Sequence, residues 1–167
     1  MGLNSLEDVL HEQVKDLLSA EQQLVDALPK MSAAASAKEL KHAIDEHLEE
    51  TRGHVRRLEE VASKLGVQGQ TTCKAMKGLI AEGEEIVKEG GDPAAKDAAL
   101  IGAAQRVEHY EIAAYGTAKP LAAELDHGDA AKLFSETLDE ESAADSLLTK
   151  IATGGLLRGG VNEKAAT

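Results

Sequence analysis

The sequence predicts an all-α protein, a four-helix bundle made of two helical hairpins with an extra short helix in the central connection. Three observations carry this. Ala, Leu, Glu and Lys dominate, while aromatics are confined to Phe134, Tyr110 and Tyr115 with no Trp; long helices with Ala- and Leu-packed seams have this composition. Apolar residues recur at steps of three and four through four long stretches, and no run of alternating β-branched residues calls for a sheet. Finally, Gly and Pro cluster at a few breaks between those stretches. The 167 residues suit one core-bearing domain, with residues 1–153 as the bundle and 154–167 as a flexible C-terminal tail.

The first helix begins near Asn4 or Ser5, where Asn4 and Glu7 have capping-box spacing. Its seam reads Leu6, Leu10, Gln13, Leu17, Glu21, Leu24 and Leu28, with Glu21 where an apolar residue is expected. Pro29 is expected to end or kink it, with the Ala-rich Met31–Ala37 open to one further turn. Ser36 and Glu39 form a second box, opening a helix that runs to Leu65, with Gly66 as its stop. A shorter helix covers Cys73 to Lys88. After Gly90-Gly91, Asp92 caps and Pro93 starts a helix to about Leu125, with Glu108 and Glu111 in mid-seam. Asp126-His127-Gly128-Asp129 is a turn. The last long helix runs to about Thr153 and carries Glu141 and Asp145 on its seam. The Gly-rich tail that follows has little to bury.

A net charge of −12 argues against nucleic acid and against an anionic membrane surface as partners. No stretch is apolar enough to span a bilayer. Cys73 is the single cysteine, which leaves no intrachain disulfide and no cysteine-based zinc cluster. The N-terminus has no signal-peptide pattern, so a cytoplasmic location is expected.

The stretch Glu46–His54 carries the chemistry. On a helix, Glu50 and His54 lie about 40° apart and His47 about 60° from Glu50. The three interrupt the apolar stripe of Leu40, Ile44, Leu58, Val61 and Leu65. A buried carboxylate beside imidazoles is costly unless paired or bound to metal. An internal repeat extends the pattern. Glu50 and His54 correspond to Glu141 and Asp145, and Glu21 corresponds to Glu111. Four mid-seam carboxylate positions would converge in one layer. Carboxylate-bridged di-iron and di-manganese bundles are built this way. Glu21, Glu50, His54, Glu108, Glu111, Glu141 and Asp145 are therefore the expected ligands of two divalent metal ions, iron ahead of manganese. Glu50 and Glu141 are expected to bridge, His47 to support, and Tyr115 to fill core.

The chain also resembles the YciF-like stress-protein family of the ferritin-like superfamily. The resemblance rests on Ala20-Glu21-Gln22-Gln23-Leu24, Ala27-Leu28-Pro29-Lys30-Met31, Glu46-His47-Leu48-Glu49-Glu50-Thr51, Ala104–Ile112 and Thr137-Leu138-Asp139-Glu140-Glu141. It covers about residues 3–152, and Gln105–Glu111 is its most specific run. It implies a ferritin-like bundle, a homodimer and a link to bacterial stress responses. The superfamily's usual Glu-x-x-His pair is replaced by Glu50-x-x-x-His54 and Glu141-x-x-x-Asp145, which weakens any transfer of a particular activity. Three readings stand: a di-metal oxidoreductase reacting with oxygen or peroxide, a metal-buffering protein without turnover, and a structural or stress-assembly protein with a vestigial site.

Overall fold

A computed structural model describes residues 2–155 and 158–166. Five substantial helices follow one another: α1 (Leu6–Ala34), α2 (Lys38–Leu65), α3 (Lys74–Lys88), α4 (Pro93–Glu124) and α5 (Gly128–Thr153). The tightest packing joins α1 to α2 and α4 to α5, so the predicted two-hairpin bundle is present. The short α3 crosses the long connection and lies against α1 and α4.

The seams follow a strict alternation of three and four. In α1 the buried positions include Leu10, Val14, Leu17, Glu21, Leu24 and Leu28. In α4 they include Ile101, Ala104, Glu108, Glu111, Tyr115 and Ala118. This 3.5-residue period keeps one stripe facing a partner helix over many turns. The interior divides into two apolar half-cores. One holds Leu10, Val14, Leu58, Tyr115 and Phe134; the other holds Leu24, Leu40, Ile44, Leu100 and Leu148. The acidic mid-seam residues lie between them.

Several local expectations are corrected. The cap of α1 is Ser5 rather than Asn4. The Ser5 hydroxyl accepts from the Asp8 N–H at 3.1 Å, and the Asp8 carboxylate accepts from the Ser5 N–H at 3.0 Å. Helix α1 continues past Pro29 for another turn. Beyond it the buried Ser32 hydroxyl donates to Asp45 at 2.5 Å, tying the last turn of α1 to α2. Pro120 likewise sits inside α4. The start of α2 takes no side-chain cap from Ser36 or Glu39. Instead Asp97, buried on α4, accepts from the Ser36 and Ala37 N–H groups at 2.8 and 2.7 Å. Gly66 closes α2 at φ 65°, a left-handed conformation that favours glycine.

The tail buries more than its composition suggests. Gly154–Gly155 and Arg158–Gly159 form a two-residue antiparallel ladder, where no sheet was expected. A short α6 (Val161–Ala165) follows, packs on α4 and buries Val161. The expected flexible tail includes residues 156, 157 and 167, which lie outside the described residues. Among the described residues, no helix is long and apolar enough to cross a membrane.

Candidate metal centre

Six side chains from four helices meet in the layer between the half-cores. They are Glu21 from α1, His47 and His54 from α2, Glu108 and Glu111 from α4, and Glu141 from α5. Glu21, His54, Glu111 and Glu141 are fully buried, Glu108 is 3% exposed and His47 7%. Their ligating atoms form two groups, each spanning no more than 4.8 Å: His47, Glu108, Glu111 and Glu141 in one, and Glu21, His54 and Glu141 in the other. Glu141 belongs to both.

The first group is built around His47. Its Nε2 lies 3.5 Å from Glu108 and 3.7 Å from Glu141, and its Nδ1 lies 3.5 Å from Glu50. In the second, His54 Nδ1 lies 3.0 Å from Glu141 and 3.4 Å from Glu21. The two rings stand edge to face, centroids 6.3 Å apart. Tyr115 donates its hydroxyl to Glu21 Oε1 at 2.5 Å. That engages one carboxylate oxygen and leaves the other facing the centre.

The back of His54 is held from outside. Its Nε2 lies 2.9 Å from Glu140, and Arg57 donates to both oxygens of that carboxylate and to Thr137 Oγ1. A proton on Nε2 therefore points at Glu140, and Nδ1 points into the cage, where losing its own proton would free a lone pair for a metal. Metal-binding histidines are commonly oriented by such a carboxylate. Arg57, ahead of opposing burial and a further pull from His54, holds the Glu140 carboxyl below its ordinary range.

Burial and crowding set the protonation inside. Burial would lower His47, but Glu108, Glu50 and Glu141 push it up to about 9. Burial would also lower His54, which Glu141 and Glu21 push up to about 10. Glu108 and Glu111 are driven well above the ordinary carboxyl range, first by burial and then by carboxylate neighbours; His47 opposes this for Glu108. Burial also raises Glu21, against the pull of His54. Glu141 is held low because His54 and His47 outweigh the effect of burial.

The cage has more acceptors than partners. Among the described residues, eight of its side-chain atoms are buried without a hydrogen-bond partner: Glu21 Oε2, His47 Nδ1, His54 Nδ1, Glu108 Oε2, and both oxygens of Glu111 and of Glu141. Each unsatisfied buried polar group costs about 1–3 kcal/mol. Such a site needs protons or cations. Four carboxylates balance two divalent ions, and oxygen donors with imidazole suit iron or manganese. The residues fit a two-metal centre.

Of the ligands expected from the sequence, Glu21, His54, Glu108, Glu111 and Glu141 are brought together. Glu50 and Asp145 are not. The α2 seam runs Leu40, Ile44, His47, Thr51, His54, Leu58, Val61, so Thr51 holds the inward position and Glu50, one residue earlier, sits at the edge with its side chain 46% exposed. On α5, Asp145 turns sideways to α4. It accepts from Gln105 at 3.0 Å and lies 3.4 Å from the exposed His109. The proposed repeat therefore holds for Glu21 with Glu111 and fails for Glu50 with Glu141. His47, expected only to support, lies in the cage, and Tyr115 is more than filler. The seven-residue spacing of His47 and His54 was the available signal, since it returns a helix to nearly the same face.

A family model described as a domain of unknown function, DUF892, matches residues 5–166. Protein YciF of Escherichia coli (strain K12) is 44% identical over 168 residues, spanning 99% of this chain and 98% of its own length. The crystal structure of the E. coli stress protein YciF matches with a TM-score of 0.84 at 45% identity, over 88% of this chain and 94% of that one. YcfI from Rhodopseudomonas palustris matches at 0.86 and 41% identity, over 90% and 96%. A two-domain protein from Anabaena variabilis, containing DJ-1/ThiJ/PfpI-like and ferritin-like domains, matches at 0.61 and 15% identity over 98% of this chain and 39% of that one. At that identity the likeness concerns the fold alone. The bundle is ferritin-like.

Proposed function

The chain belongs to the DUF892 family, with the stress protein YciF among its relatives, and on that footing we propose that its core holds two divalent metal ions, iron ahead of manganese, in a carboxylate-bridged centre reactive toward oxygen or peroxide. The residues that would hold them are Glu21, His47, His54, Glu108, Glu111 and Glu141, with Glu141 shared by both groups. The observation that supports this most is the set of eight buried atoms without partners, all facing one layer. When bound, a pair of redox-active ions supplies electron transfer to a small oxidant.

The protein's own contribution is positional. Glu140 and Arg57 fix the orientation of His54. Tyr115 holds Glu21 by one oxygen. The two apolar half-cores flank the layer above and below, and a low-dielectric surround strengthens interactions between charges inside it.

The test is metal content. Protein purified without chelator and then loaded anaerobically with Fe(II) should carry about two ions per chain on the carboxylate count above. Glu141→Ala should lose both. Metal staying below about 0.2 per chain after loading would end the metal reading, since a built two-ion site fills. Consumption of oxygen or peroxide by the loaded protein then separates turnover from buffering.

A further inference from the structure

A cavity of about 120 Å³ lies beside the His47 end of the cage, between α2 and α5. These two helices face each other across the hairpins and pack more sparsely than the partners within each hairpin. His47 and Glu108 line its inner end. Both are more than nine-tenths buried, and each has a side-chain atom without a hydrogen-bond partner, His47 Nδ1 and Glu108 Oε2. Leu28, Ile44, Ala104, Ala144 and Leu148 form apolar walls. Three carboxylates also line it: Glu46, Glu50 and Glu140. Glu140 is engaged by Arg57. Glu46 lies 3.4 Å from His42, and both of those side chains are largely exposed. Glu50 is half-exposed, and its Oε2 is 3.5 Å from His47 Nδ1. It stands between solvent and the inner end.

We propose that this cavity is the route by which divalent cations reach the core, and that Glu50 carries them: it takes an ion at the rim and passes it to His47 and Glu108 without remaining a ligand. The inference rests on the metal-centre reading above. Acidic groups at a mouth raise the local concentration of cations and repel anions. The apolar walls offer an ion no ligand, so the step from water to the inner pair needs a carboxylate that reaches both. Glu50 has that position. Its place at the edge of the α2 seam, unsuitable for a fixed ligand, suits a carrier.

The experiment is stopped-flow uptake of Co(II) by the full chain after chelator stripping, read by visible absorbance, with the final stoichiometry measured by elemental analysis. Glu50→Gln should slow uptake about tenfold, within the range of electrostatic effects on association, with unchanged stoichiometry and a weaker salt dependence. Ala144→Leu should slow it by narrowing the cavity, with the salt dependence retained. Glu59→Gln, an equal change of charge at an exposed site on α2, should match the parent chain. Uptake by Glu50→Gln as fast as by Glu59→Gln overturns the inference. So does loss of stoichiometry in Glu50→Gln, which would make Glu50 a fixed ligand. If the parent chain takes up no Co(II), the metal-centre reading fails and the route falls with it.

Discussion

The Nε2 of His54 lies 2.9 Å from Oε2 of Glu140, a carboxylate that Arg57 grips at both oxygens. The contact joins α2 to α5 and sets which imidazole nitrogen faces the cage. Glu140→Ala should therefore weaken metal binding about 10- to 100-fold, the usual effect of removing such an orienting carboxylate. Competition against a chromogenic chelator measures this. Because the variant also leaves the buried Nε2 of His54 without its partner, the metal-free protein should lose about 1–3 kcal/mol of stability, read by denaturant unfolding. Unchanged metal affinity would mean that the cage orients His54 without help.

Glu111 has both oxygens buried and unpartnered. Replacing this buried carboxyl, held protonated by burial and its carboxylate neighbours, should stabilise the metal-free protein while damaging the metal site. We expect Glu111→Leu to raise metal-free stability by about 1–3 kcal/mol, the cost of a buried polar group without partners, and to lower metal content. Urea unfolding of chelator-treated protein checks the first effect, and elemental analysis the second. A variant that is both less stable and fully metallated would contradict the reading of Glu111 as a strained ligand.

The metal-free protein should lose stability as pH rises. His47 and His54 keep their protons to about 9 and about 10 when folded, whereas an unfolded chain releases them near ~6.5. Between those limits the folded state binds more protons, so stability falls with increasing pH. The raised Glu108 and Glu111 act in the same direction, starting from the ordinary carboxyl range. Glu141, held low, acts oppositely, and its stabilisation is lost only as pH falls below the usual carboxyl range. Melting curves from pH 6 to 10 should show Tm declining for chelator-treated protein and nearly level for manganese-loaded protein. A level metal-free profile would show that the two imidazoles are not protonated together.

Tyr115→Phe deletes one buried hydroxyl at the edge of the acidic layer. It leaves Glu21 Oε1 without its donor, at a cost of about 1–3 kcal/mol. Metal stoichiometry should survive, because Glu21 Oε2 is untouched. Denaturant titration and metal analysis of the one variant separate the two roles. Loss of metal would make Tyr115 part of the machinery that shapes the site.

What the sequence revealed depended on phase along the helices. Glu21, Glu108, Glu111 and Glu141 interrupt apolar seams at steps of three and four, and all four are buried. Glu50 and Asp145 lie one position out of phase with the seams: Thr51 holds the inward position on α2, and spacing from His54 alone does not separate the two. His47, expected to support, is legible as an inward position through its seven-residue spacing from His54. Arg57 and Glu140 were not legible as a pair, since 83 residues separate them and only the packing of α2 on α5 brings them together. The Ser36 and Glu39 pattern misled for a similar reason: a carboxylate from another helix had taken the capping role.

That carboxylate, Asp97, has a consequence for how the chain assembles. It lies 60 and 61 residues beyond the two amides it receives. A nascent chain carrying only the first hairpin must therefore leave the amides at the start of α2 to water. The corner between α1 and α2 locks when the second hairpin arrives, so docking of the halves and closure of the first one become a single event. Glu108, Glu111 and Glu141 come with that same second half, so the acidic layer is assembled only as this corner shuts.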